Sequence, residues 1–245
     1  MFTNGVTMKR KFAYQHPLFG RTKHQKELGR YRTTVYYLWW EFLRRSDAYR
    51  EFCSYAGTKE SGRFSALYAD FGDVFSTDFN VWWRKGDRGA NLFAERLPPN
   101  MSVLTEFPNS TIAGQVLVVQ VPLALSKRKL AGEFQKLLTE HHRGRRGSRN
   151  TEFSSAKYPV TGHIDTVALQ KCLDVYDMKI SNPEMRLWEI AQKCKAIQSE
   201  SRIKSTDSSG EITNKKLILS NTTSRLLKKA MTIIQNVEEG RFAFK

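Results

Sequence analysis

The sequence predicts a mainly helical α+β protein with an aromatic N-terminal unit containing a short strand, followed by a three-helix C-terminal unit. Three observations lead to this prediction. Apolar residues recur at three- and four-residue steps over several stretches, as on one face of a helix. A single valine and leucine run that ends in proline is typical of a buried strand. The 245 residues, 40% of them hydrophobic, are enough for one large or two modest domains.

The chain is strongly basic, and its charge is unevenly distributed. Forty Lys+Arg against 24 Asp+Glu give a formal net charge of +16 at pH 7, which favours a polyanionic partner. The net charge is +8 over residues 1–50, −2 over 51–110, +6 over 111–150 and +4 over 151–245. Two basic zones therefore flank an aromatic, slightly acidic middle. Basic loops on an otherwise ordinary soluble protein are the alternative interpretation.

Several protein classes are disfavoured by the composition. No apolar run is long enough for a membrane span, and residues 1–10 lack the apolar core of a signal peptide. Cys53, Cys172 and Cys194 are far apart, which argues against a disulfide scaffold or a cysteine zinc site and suits a reducing compartment. We therefore expect a cytoplasmic, nucleoid-associated protein with no membrane partner, cofactor or metal.

The N-terminal half is predicted to contain a basic arm over residues 1–30 and an aromatic-rich α+β domain over 31–142. Its first amphipathic helix lies within 32–53 and is interrupted near Ser46 and Asp47. The aromatic stripe of this helix predicts core, with a stacking platform for bases as the alternative. Neighbouring residues point in different directions from a helix. We therefore expect one member of Trp39/Trp40, and one of Trp82/Trp83, to be more exposed, with Trp39 buried.

Three carboxylates punctuate the next segment, which is predicted to be helical or mixed from Phe64 to Trp83. Asp70, Asp73 and Asp78 lie among aromatic residues. Helix caps and turns are the favoured interpretation, and a divalent-metal site of a nuclease is the alternative.

The clearest predicted strand covers Val116–Val121 and should be buried. Ser126 then offers an N-cap to an amphipathic helix that begins at Lys127. The arginine- and glycine-rich residues 143–156 predict a basic linker to the C-terminal domain, residues 157–245.

The C-terminal domain has three helical patterns. The first runs from His163 to Ile180 with Asp165 as a candidate cap, and the second from Glu184 to Ile197. The third is predicted to begin after residues 220–223 and to end before Gly240.

These three patterns resemble a helix-turn-helix unit. Residues 187–191 (LWEIA) resemble its second helix, and 220–229 resemble the start of a recognition helix. The resemblance implies that free N–H groups at the helix start meet phosphate, with Asn221, Thr222 and Arg225 facing base edges and Lys228 and Lys229 on phosphate.

The connection between the last two predicted helices departs from this pattern. Such motifs join these helices by three or four residues, whereas here residues 198–219 intervene. The insert predicts either an enlarged wing with further phosphate contacts or a plain helical bundle. Further candidate phosphate contacts lie in the basic zones, namely Lys127, Arg128, Arg143, Arg145, Arg146 and Arg149.

Most of the chain also resembles uncharacterised proteins of bacterial prophages and other mobile elements. The resemblance is carried by YYLWWEFLRRSDAYR (36–50), LYADFGDVF (67–75), VVQVPLALSKRKL (118–130), VYDMK (175–179) and LWEIA (187–191). It implies a regulator, an accessory factor or a defence-related component.

No common catalytic motif is present: the sequence lacks GxSxG, a Walker A loop, HExxH and GxGxxG. We therefore assign no catalytic residue. The favoured function is a nucleic-acid-binding protein, with DNA preferred over RNA and with a protein partner or homo-oligomer left open. The alternatives are a structural or adaptor subunit of a nucleoprotein complex, and a metal-dependent nuclease.

Overall fold

A computed structural model describes residues 10–20, 22, 29–55, 62–96, 117–141, 154–160, 164–198 and 201–242. The protein is mainly helical, with one small antiparallel sheet. In chain order the strands and α-helices are β1 (Arg10–Phe12), α1 (Val35–Leu43), α2 (Asp47–Tyr55), α3 (Ser65–Phe71), α4 (Phe79–Arg84), α5 (Arg88–Phe93), β2 (Ala94–Arg96), α6 (Lys127–His141), α7 (Thr166–Ser181), α8 (Leu187–Lys193) and α9 (Ser209–Glu238). Short 3-10 helices cover Arg30–Thr33 and Lys85–Asp87.

Helix α1 is the centre of the core. Eight of its nine residues are buried, so it is covered on nearly all sides and has no solvent face of the usual width. Thr34 caps its first turn by accepting a hydrogen bond from the Tyr37 N–H. As predicted, the helix breaks before Asp47, and the Ser46 hydroxyl accepts from the Tyr49 N–H at 2.9 Å to start α2.

The prediction that each tryptophan pair divides between core and surface is wrong. Trp39, Trp40, Trp82 and Trp83 are all buried, at 0%, 2%, 1% and 5% exposure. Both pairs lie on short helices that contact other aromatic rings on more than one side. The indole of Trp39, for example, stacks on Phe242 with centroids 5.0 Å apart. The aromatic stripe is therefore core, as expected.

The sheet forms from segments other than the predicted strand. Strand β1 pairs antiparallel with β2, with Lys11 opposite Glu95. The part of the predicted basic arm that the structure describes therefore contains a strand, and Phe19 from the same region joins the core. Packing of this segment differs from the loose arm that its polar sequence predicts.

The prediction of a buried strand over Val116–Val121 is wrong for the described residues 117–121. They form no strand, and Leu117, Val118 and Val121 are 46%, 43% and 53% exposed. A strand needs a neighbouring edge to satisfy its backbone N–H and C=O groups. The two strands of the described sheet pair with each other instead. Helix α6 follows as predicted, and the Lys129 N–H donates to the Ser126 hydroxyl at 3.4 Å.

One close approach in the core depends on glycine. Gly89 on α5 lies against the indole of Trp83, and a Cβ at this position would come within 2.2 Å of the ring. Such a contact is shorter than any non-bonded carbon pair allows, so a larger residue would displace Trp83. The spacing of α4 and α5 is set by this contact.

The C-terminal helices differ in extent from the predicted ones. Helix α7 begins after Asp165, whose Oδ1 accepts from the N–H groups of Val167 and Ala168 at 3.0 Å, which confirms the predicted cap. Helix α8 is shorter than predicted, because Lys195 adopts a left-handed φ of 50° just beyond its end. Helix α9 ends before Gly240, which has a φ of +71°, as expected of a helix stop.

One hydrophobic cluster joins residues of both predicted domains. It includes Trp39 and Phe71 from the N-terminal half together with Leu173, Ile233 and Phe242 from the C-terminal half. The cluster therefore crosses the boundary that was predicted between the two domains. The greater part of the predicted linker, residues 143–153, lies outside the described residues.

Candidate nucleic-acid interface

The candidate interface is built on α9, a continuous helix of 30 residues. Its start is fixed by Ser208, which accepts from the Glu211 N–H, while the Glu211 carboxylate accepts from the Ser208 N–H at 2.7 Å. Nearby, Lys215 Nζ donates to Asp207 at 2.7 Å. That bond, with a backbone N–H bond from Lys204, lowers the pKa of the Asp207 carboxyl.

The long α9 overturns the predicted recognition-helix start. Residues 220–223 were expected at a helix N-terminus, yet they lie in the middle of α9, eleven residues or more after its first residue. Inside a helix the backbone N–H groups are already bonded to the preceding turn, so none is free for phosphate. Half of the predicted insert, from Ser209 to Leu219, is helix and forms no wing.

The predicted site residues of α9 nonetheless share one exposed face. Asn221, Arg225, Lys228 and Lys229 are exposed, and Thr222 is half-buried. Spacings of three and four residues place Arg225 directly beside both lysines on the helix surface. Within the described part of the chain, Arg225 and Lys228 form no ion pair. This face, defined by Asn221, Arg225, Lys228 and Lys229, is called the basic face of α9 below.

The opposite side of α9 anchors the helix to the rest of the fold. Leu219 is fully buried with Ile190 and Ala191 of α8, whereas Ile233 and Val237 enter the main core. Ile234 also belongs to the main core and not to the cluster around α8. The buried hydroxyl of Thr223 lies 2.9 Å from the carbonyl oxygens of Leu187 and Leu219, either of which can accept its proton. This anchoring turns the basic face outward.

Two further lysines, both within the predicted insert, lie on the same helix. Lys215 pairs with Asp207, and Lys216 Nζ lies 4.7 Å from the ring centroid of Trp188. Over residues 212–237, α9 therefore carries five basic and no acidic side chains. The sequence feature that points to this basic stretch is the absence of acidic residues over 212–237. This absence indicates a binding face only once a single helix is known to span these residues.

The remaining predicted phosphate contacts are separate from α9 in sequence. Lys127 and Arg128 are exposed on the first turn of α6. Arg143, Arg145, Arg146 and Arg149 lie outside the described residues.

Two of the three carboxylates considered for a nuclease, Asp70 and Asp73, have hydrogen-bond partners, whereas Asp78 lies at the start of α4 without a side-chain cap bond. Asp70 accepts from Lys157 Nζ at 2.5 Å and from the Tyr158 hydroxyl at 2.6 Å. Burial and this hydrogen bond raise the pKa of Tyr158. Asp73 accepts from the Phe75 N–H at 2.8 Å, which is the turn role expected for it. Among the residues that the structure describes, no three metal-ligating side chains are grouped.

The sequence matches no protein-family model, and comparisons with curated proteins and with solved structures give no significant match. Within the described part of the chain, no helix is both long and apolar enough to cross a membrane.

Proposed function

We propose that the protein binds double-stranded nucleic acid, with DNA preferred, through the basic face of α9. The observation that carries this proposal is the exposed cluster of Arg225, Lys228 and Lys229 on a helix stretch without acidic residues. Like charges three and four residues apart repel each other by about 0.2–0.5 kcal/mol per pair. A phosphate backbone along the helix relieves this repulsion and releases counterions.

The proposed contacts follow from side-chain type. Arg225 and Asn221 are four residues apart, about 6 Å along the helix axis, and both can form paired hydrogen bonds with base edges. Lys228 and Lys229 bind phosphate as point charges. The net charge of +16 supports the same proposal, because it attracts a polyanion from a distance. In this proposal the chain is a regulator or accessory factor of a phage or mobile element.

A second candidate function, an adaptor that binds another protein, is favoured by exposed apolar side chains on α9. Leu217, Ile218 and Met231 are 63%, 50% and 55% exposed. Exposed apolar groups beside charge are typical of protein interfaces. Salt dependence distinguishes the two functions, because phosphate contacts weaken steeply with salt and apolar contacts do not.

The test is fluorescence anisotropy of labelled duplex DNA with the full chain over a series of salt concentrations. Arg225→Gln is expected to weaken binding by about 1–3 kcal/mol. Lys228→Gln and Lys229→Gln should each make the salt slope shallower by roughly one unit. Lys193→Gln, an exposed lysine on α8, is the matched control and should leave affinity and slope unchanged. Equal affinity for all four variants and the parent protein would contradict the proposal, and a duplex RNA of the same sequence tests the preference for DNA.

A further inference from the structure

A cleft in the N-terminal half shares no residue with the basic face of α9. Its lining includes side chains that can bind an anion. It encloses about 220 Å³ between the loop after α3 and the turn that joins α4 to α5. Trp82 forms part of its apolar wall. Its polar lining comprises Tyr68, Asp73, Ser76, Thr77, Lys85 and Arg88.

The two cations of the cleft lie three residues apart. Within the part of the chain that the structure describes, neither Lys85 nor Arg88 forms an ion pair. The Arg88 guanidinium carbon lies 5.7 Å from the ring centroid of Trp82, which holds one face of the guanidinium against the wall. Two unpaired cations on one cleft favour an anion that both can reach.

A glycine lies in the wall of the cleft beside Arg88. Gly72 has a left-handed φ of +63°, and a Cβ at this position would lie 3.4 Å from Arg88 Nη2. Its carbonyl accepts from the buried Tyr49 hydroxyl at 2.8 Å, which fixes the loop. Trp82 Nε1 donates to the Phe71 carbonyl at 2.6 Å, so the wall below the guanidinium is fixed as well. The cleft is therefore held in shape by the core.

A carboxylate in the same cleft, that of Asp73, limits which kind of anion can bind there. One oxygen of Asp73 accepts from the Phe75 N–H, and the hydroxyls of Ser76 and Thr77 lie on the same loop. A bare anion would be repelled by Asp73. A phosphate ester that also carries hydroxyl groups can place its phosphate at the cations and donate a hydroxyl to the carboxylate.

Two residues with left-handed backbone conformations lie beside this lining. Gly86 and Asp87 both adopt left-handed conformations, with φ of 57° and 53°. A left-handed residue other than glycine is uncommon, and such residues cluster at binding sites. These two residues separate Lys85 from Arg88 in the sequence, and both cations line the one cleft.

We propose that this cleft binds a phosphate monoester carried by a sugar, with Lys85 and Arg88 on the phosphate and Asp73 on a sugar hydroxyl. The volume of about 220 Å³ is below the range of about 300–1,000 Å³ that holds drug-sized ligands, which suits a small ester. The same chemistry occurs in a free sugar phosphate and at the phosphorylated 5′ end of a nucleic acid. This inference does not rest on the function proposed for α9.

The test is calorimetric titration of the full chain with ribose 5-phosphate. Lys85→Gln and Arg88→Gln should each weaken binding by about tenfold or more, as expected when one charge-assisted contact is lost. Arg84→Gln is the matched control, because Arg84 is the last residue of α4, directly before Lys85, and lines a different cavity; it should leave the affinity unchanged. Circular dichroism of each variant verifies the fold.

Asp73→Asn tests the hydroxyl contact separately. Inorganic phosphate should bind the parent protein more weakly than ribose 5-phosphate does. In the variant it should bind more tightly than in the parent, because a repelling charge is removed, and the advantage of the sugar ester should shrink.

Competition distinguishes the two sources of the ester. If a 5′-phosphorylated oligonucleotide displaces ribose 5-phosphate and its 5′-hydroxyl counterpart does not, the site is assigned to a nucleic-acid end. If neither oligonucleotide displaces it, the site is assigned to a free sugar phosphate. No heat at millimolar ribose 5-phosphate, or an equal loss in Arg84→Gln, would overturn the proposal.

Discussion

The guanidinium of Arg45, in the turn after α1, donates to the carboxylate of Asp177 on α7, with Nε 2.7 Å from Oδ1 and a second bond from Nη2 to Oδ2. The same side chain donates to the carboxylate and the carbonyl of Glu41 one turn earlier on α1. Although burial opposes its charged form, these partners raise the pKa of Arg45 above its ordinary value. The paired guanidinium therefore connects the turn after α1 to α7, between two residues that are 132 apart in sequence.

Arg45→Ala is expected to destabilise the protein by about 2–3 kcal/mol, because it removes the charge-assisted hydrogen bonds from Arg45 to the carboxylates of Glu41 and Asp177. Glu41 is only 9% exposed, so water cannot fully replace the guanidinium. Urea denaturation measures the change. The control is Arg128→Ala, at an exposed position on α6. Its free energy of unfolding should stay within about 0.5 kcal/mol of the parent protein's. A loss for Arg45→Ala no larger than that of the control would contradict this prediction.

Two tryptophan-to-phenylalanine changes should differ in cost. The indole N–H of Trp82 donates to the Phe71 carbonyl, whereas that of Trp39 is buried without an acceptor among the described residues. Trp82→Phe removes a buried hydrogen bond, and Trp39→Phe removes an unsatisfied donor. Trp82→Phe should therefore lower the free energy of unfolding by about 1 kcal/mol more than Trp39→Phe does. Thermal melting tests the order, and Trp39→Ala should cost about 3–5 kcal/mol through the cavity that it leaves. A larger loss of stability for Trp39→Phe than for Trp82→Phe would refute this prediction.

Proline at position 221 tests whether α9 is continuous. A helix that began after Ser220 would accept proline in its first turn. In the middle of α9, Asn221→Pro removes a backbone hydrogen bond and clashes with the preceding turn, at a cost of about 3 kcal/mol or more. Circular dichroism and urea denaturation measure the loss, with Asn221→Ala as the control. If the proline variant is as stable as the alanine variant, the helix is not continuous at this point.

Cys53 should make stability fall at alkaline pH. Burial, together with the negative charge of Asp73, raises the pKa of its thiol from 9.0 to about 11. The folded state keeps its proton longer than the unfolded state, so the contribution is present below pH 9 and is lost as the pH rises through 11. The midpoint of urea denaturation, followed from pH 8 to 11, should decline less steeply in Cys53→Ala. Identical slopes in both proteins would contradict the assignment.

The same burial predicts slow chemistry at this thiol. At pH 9 iodoacetamide should modify Cys53 in the folded protein much more slowly than in urea, because the thiolate is the reactive form. Peptide mass spectrometry assigns the modified cysteine. Equal rates in the two states would show that the thiol is an ordinary exposed one.

The sequence by itself determined the features that depend on interactions within one or two helical turns. The break between α1 and α2, the caps at Ser126 and Asp165, and the stop before Gly240 all involve partners at most four residues apart. The exposure of Arg225 was likewise expected, because the helical period places it away from the apolar side.

The tertiary structure decided everything that depends on a distant partner. Residues 117–121 have the composition of a strand, yet β1 and β2 pair with each other, and the pairing of edges is not encoded within either run. Both tryptophans of each pair are buried because other helices cover α1 and α4 from several sides. Residues 220–223 read as a helix start, since Ser, Asn and Thr favour caps, but the buried Thr223 packs against α8 and the helix continues through them. A local preference worth about 1 kcal/mol cannot end a helix whose burial on both sides of that point stabilises it by more.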